Sequence, residues 1–209
     1  MLPTSPFSPS NAMGAGLWMV PTLSASICSF GIYGPLLLQM FHGVSPLAAG
    51  YIMALESVSW TLAALFTASL APSRTPVTII AGPVVTGLGL VGLAIFVATG
   101  PIALIVLSVI LSGVCVGACW AFDSGAILRG APEAEANLAG SSIPTVQTAG
   151  YVLGSAFAGM IANALNIAEG MLVETTRDIA VWIHAGFILT AAVATVMAVR
   201  LVLLADDDV

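Results

Sequence analysis

The chain has 209 residues, of which 59% are hydrophobic and only 7% are charged, with a net charge of −6. Average soluble domains carry about 25% charged residues. Four Arg and no Lys cannot supply the charged shell that a soluble fold needs, so composition excludes a soluble enzyme domain and makes lipid the natural solvent. No basic patch exists for nucleic acid to bind.

Residues 1–14, rich in Pro and Ser and without the positive start of a signal peptide, read as a flexible lead-in. A spanning helix needs about 20 mostly apolar residues. Six segments qualify: 15–39, 46–71, 76–98, 101–124, 141–165 and 179–204. The sequence therefore predicts an all-α polytopic membrane protein with six transmembrane helices over 15–204 and an acidic tail at 205–209. Pro46, Pro76 and Pro101 sit near helix starts, where a missing N–H costs nothing. Pro35 and Pro83 fall inside spans and predict kinks. Ser141 or Ser142 is placed to cap the fifth helix, with Pro144 in its first turn. Thr175 and Asp178 have capping-box spacing ahead of the sixth.

Six spans put both termini on one side. Arg74, Arg129 and Arg200 fall on that side, and Arg177 on the other with segment 166–178. The positive-inside rule then places both termini in the cytoplasm.

Glu56 is the most informative residue. It lies about ten residues into the second span, near the bilayer midplane, where a carboxyl should face the bundle interior or water. Only the neutral acid sits there cheaply, which suits a proton carrier. Trp60 shares its helical face, and Ser57, Ser59 and Thr61 make this the most polar interior stretch. Gln147 and Gln39 are candidates to line the same cavity or to bond across helices. Asp123, six residues before Arg129, reads as a boundary charge or local ion pair. His184 and Asn163 lie toward the other surface, His184 as a pH-sensitive group or a hydrogen-bonded packing residue.

Small residues let membrane helices approach closely. Gly150, Gly154 and Ala158 form such a ladder in the fifth span, with Gly159 beside it, and Gly113 and Gly117 form another in the fourth. Cys115 and Cys119 share a face, but no third ligand accompanies them, so they read as packing residues. No metal site and no cofactor motif is present.

The stretch Tyr33-Gly-Pro-Leu-Leu-Leu-Gln39, followed by Gly43-Val-Ser-Pro-Leu-Ala-Ala-Gly50, resembles the seventh span and following loop of the major facilitator superfamily, nearest its bacterial multidrug-efflux branch. Pro132-Glu-Ala-Glu-Ala-Asn-Leu-Ala-Gly-Ser-Ser-Ile-Pro-Thr-Val-Gln147 and Gly150-Tyr-Val-Leu-Gly-Ser-Ala-Phe-Ala-Gly159 resemble its tenth-to-eleventh loop and eleventh span. The basic loop of that family is reduced here to Ser69-Leu-Ala-Pro-Ser-Arg74. The resemblance covers the carboxyl-terminal half of such a fold. It implies half of a secondary transporter of the bacterial inner membrane, moving small organic solutes and coupled to protons. A second copy or an amino-terminal half would complete it. The alternative is a non-transporting structural or assembly subunit of a larger membrane complex.

Overall fold

A computed structural model describes residues 2–165 and 173–206. Six long helices, α1 Ala12–His42, α2 Pro46–Thr67, α3 Thr75–Phe96, α4 Ile102–Arg129, α5 Ala136–Ala164 and α6 Val173–Asp206, are joined by short connections, with 3-10 turns at Pro72–Arg74 and Glu133–Glu135. No strand occurs among the described residues. Five helices are long and apolar enough to cross a membrane; α5 is the exception. At 29 residues it is long enough to cross, at about 1.5 Å per residue. Its first half, however, carries Asn137, Ser141, Ser142, Thr145, Gln147 and Thr148.

The helix ends follow local chemistry. Asn11 accepts from Gly14 N–H at 2.6 Å and caps α1. Gly43 closes α1 at φ 61°, a left-handed conformation cheap only for glycine; its N–H donates to Gln39 O, and the following Val44 N–H donates to Leu38 O. Ser45 then caps α2 ahead of Pro46.

Two expected caps are corrected. α5 starts at Ala136, so Ser141 and Ser142 lie inside it, both bonding back to Leu138 O, and Pro144 is two turns in. The Ala- and Leu-rich run 136–139 extends the helix at little cost. α6 begins at Val173, which puts Thr175 and Asp178 within it rather than ahead of it. Pro35 and Pro83 lie in helices that stay continuous. Glu169 and the tail residues 207–209 lie outside the described residues.

Packing follows the order α5–α1–α6–α3–α4–α2, with α1 and α4 touching across the middle and α2 and α5 left at the edges. α1 is the most buried span and α2 the least. Exposed apolar side chains, such as Leu47, Leu65 and Phe66 on α2 and Leu153 and Met160 on α5, stand ready for lipid.

The lead-in touches the bundle. Trp18 Nε1 donates to Phe7 O at 2.9 Å, and Arg200 donates to Pro9 O at 2.9 Å. The Thr4 hydroxyl and N–H donate to the two Glu135 oxygens, at 2.5 and 2.8 Å. These donors, the hydroxyl foremost, hold the exposed Glu135 carboxyl below the usual carboxylate range. A lowered folded value means the contact contributes above the unfolded-chain value and is lost as pH falls through the folded one. Acidification to below the usual carboxylate range should therefore loosen the lead-in. Trp18 fluorescence would report it, and Glu135→Gln should remove that acid transition. An unchanged transition in the variant would assign it elsewhere.

Candidate functional site

Glycines set the geometry of the row α2–α4–α1–α5. A Cβ on Gly113 would sit 2.3 Å from Glu56 O, and one on Gly117 would sit 2.2 Å from Trp60 O. The α2 backbone thus lies directly on α4 at the level of Glu56. On the other side, a Cβ on Gly150 would meet Pro21 O at 2.5 Å, and one on Gly154 would meet Ala25 Cα at 2.9 Å, seating α5 on α1. Ala158 is fully buried below them, whereas Gly159 faces open space.

Glu56 is half-buried and makes no hydrogen bond or ion pair among the described residues. The Cys28 thiol of α1 and the Tyr151 hydroxyl of α5 lie within electrostatic range of its carboxyl. Gln147 Nε2 donates to Tyr151 Oη at 3.2 Å. Trp60 packs against Trp120 of α4 with ring centroids 5.9 Å apart. Ser57, Thr61, Thr148 and Ser155 are exposed along these helices. The result is a polar face, built from four helices, that offers one carboxyl, a phenol with its amide donor, and two indoles. Such a face can bind and release a proton and present flat π surfaces to a solute.

Of the residues singled out from sequence, Glu56, Trp60 and Gln147 lie on this face. Gln39 bonds instead to Pro35 O at 2.9 Å. It lies three residues from the end of α1, so it is offset from Glu56 by about 10 Å along the helix axes. Sequence reasoning missed Tyr151, Trp120 and Cys28. Tyr151 was open to detection, since it stands one turn from Gln147 on one helical face.

Asp123 corrects an expectation. It is not a boundary charge paired with Arg129: it is 2% exposed, and its Oδ1 has no partner among the described residues. The Arg129 guanidinium lies over Gly125, beside a cavity of about 450 Å³ lined also by Leu70, Thr75, Phe122 and Leu201. His184 is fully buried in α6 and hydrogen-bonded, as a packing residue is. Its Nδ1 meets Ala180 O at 2.7 Å, and its Nε2 has no partner among the described residues. Cys119 is fully buried and fills the space beside Gly82.

No family model matches the chain. It is 30% identical over 191 residues to a protein named a probable multidrug-efflux transporter in two strains of Mycobacterium tuberculosis, covering 82% of this chain and 38% of the relative. It is 24% identical over 173 residues to a riboflavin transporter of Clostridioides difficile, covering 79% of this chain and 38% of the relative. The chain thus spans 38% of the length of the curated relatives it matches. It is an all-helical integral membrane protein whose relatives are named as transporters.

Proposed function

We propose that this chain forms one six-span half of a secondary-active transporter, of the major facilitator type, for small organic solutes. α5 crosses the membrane as the fifth span. Its polar residues fall on the face that a second half covers. A second copy, or an amino-terminal half, encloses the face carrying Glu56, Trp60 and Gln147. Alternating access then exposes that face to either side. The observation that carries the reading is the Glu56 carboxyl, held without a cation partner among the described residues on a polar face shared by α1, α2, α4 and α5. A carboxyl retained in such a place costs insertion energy that a purely apolar face would avoid. Protons drive the cycle by binding there, and flat solutes rest against the paired indoles.

The assembly test is direct. In mild detergent, the membrane-extracted chain should run as a pair of six-helix bodies, either two copies or one copy with another chain. A monomer that yields no flux on reconstitution, or a chain held in a large complex of unrelated subunits, would return the reading to a structural component.

Orientation follows from charge. Arg129 and the ends of α2 and α6 surround the 450 Å³ cavity at one end of the bundle, and Arg200 meets the lead-in there. This end, with both termini, is assigned to the cytoplasm of a bacterial inner membrane. A cysteine at exposed Ala205, in a cysteine-free background, should react with impermeant reagent only after the cytoplasmic side is opened. Labelling from outside would reverse the orientation.

A further inference from the structure

We propose that Asp123 is a proton-binding site in its own right, and that proton uptake there closes α1 onto α4. The geometry is specific. Oδ1 lies 3.1 Å, and Ile127 Cγ1 2.4 Å, from where a Cβ on Gly16 would be, so the glycine lets α1 sit directly against the stretch of α4 that carries the carboxyl. The side chain is 2% exposed and Oδ1 is unpartnered among the described residues.

Among the described residues nothing around it supplies a counter-charge. Cys119, one turn back on α4, is the titratable group within electrostatic range. The buried side chains packed around this stretch are apolar: Met13 and Met19 of α1, Ile79 of α3, Ala139 of α5 and Leu201 of α6. Arg129 is turned onto Gly125.

An ionised carboxylate buried without a cation or hydrogen-bond donor is far costlier than the neutral acid. The closed α1–α4 contact and the bound proton therefore stabilise each other, and the coupling is reciprocal. The step is a simple protonation: water gives up a proton, an O–H bond forms on one carboxylate oxygen, and no other bond changes. Water reaches Oδ1, the sealed oxygen beside Gly16, only when α1 parts from α4 at the end carrying the lead-in. This inference does not depend on transport, since a chain that moves no solute still binds this proton.

The contact itself supplies the probe. A Cβ on Gly130 would sit 2.9 Å from Ala12 Cβ, so A12C with G130C, in an otherwise cysteine-free full chain in membranes, reports α1–α4 closure by oxidative cross-linking. The ratio of cross-linking rates, D123N over the parent, cancels the common thiolate dependence. That ratio should be near one at the acid end of the range the protein tolerates and rise about tenfold toward its alkaline end, as the parent loses its proton and the neutral variant does not. A ratio that stays flat across this range overturns the proposal. Infrared spectroscopy covers the case in which D123N does not fold. In the E56Q chain with E169Q and E174Q added, Asp123 is the one remaining acid that is buried among the described residues, so a neutral-acid carbonyl band persisting at neutral pH belongs to it. Absence of that band overturns the proposal.

Discussion

Glu56→Gln should abolish pH-gradient-driven solute flux while leaving the folded bundle intact. Gln matches Glu in size and can hydrogen-bond, but it cannot titrate. The fold should survive for a structural reason. The Glu56 side chain makes no hydrogen bond among the described residues, and the contact of α2 with α4 at this level is carried by its backbone against Gly113. Stability should change by no more than about 1 kcal/mol. Flux should fall by at least about 100-fold, the lower end of what removing a positioned proton-transfer group costs. The measurement reconstitutes the chain with its second half and follows uptake driven by an imposed pH gradient, alongside solute binding at fixed pH. Retained binding with lost coupling is the expected split. Full gradient-dependent flux in the Gln variant would remove Glu56 from the coupling path.

The spans were legible because lipid imposes a blunt requirement, a long apolar run, on each of them. Their ends were less so. α4 runs on to Arg129 and α5 begins at Ala136, because Ala, Leu and Ile continue a helix past the bilayer at little cost. Ser142 shows the same ambiguity from the other side. Its hydroxyl suits a cap, but once upstream residues are helical it bonds back to Leu138 O. The polar face was legible only helix by helix. Glu56 and Trp60 share a turn of α2, but their meeting with Tyr151 and Trp120 depends on the spatial order of four helices, which periodicity does not encode. Asp123 was misplaced by counting residues from the span's end. The better signal was its register, since Val116, Cys119, Ala126 and Ile127 are buried on the same stripe of α4.

Gly117→Leu should cost most of the yield of folded protein, whereas Gly159→Leu should cost little, although both introduce the same side chain into a glycine-rich span. Both gain helix propensity, about 1 kcal/mol relative to Gly, so local preference favours the substitution at either site. Packing decides the difference. At Gly117 the new Cβ would lie 2.2 Å from Trp60 O and 2.8 Å from Trp60 C, which are backbone atoms and cannot rotate away. α2 would have to leave α4, and the Trp60–Trp120 pair at 5.9 Å would part with it. Overpacking costs about 1–3 kcal/mol where side chains can adjust, and a displaced helix backbone lies at or beyond the top of that range. At Gly159 nothing lies within 4 Å of the added Cβ, so the leucine meets lipid. Yield after mild-detergent extraction, with tryptophan fluorescence as a second readout, separates the two. Equal losses at both positions would mean that α2 is not held to α4 by this close approach. The polar face would then have no rigid α2 wall, and the placement of Glu56 would have to be reassigned.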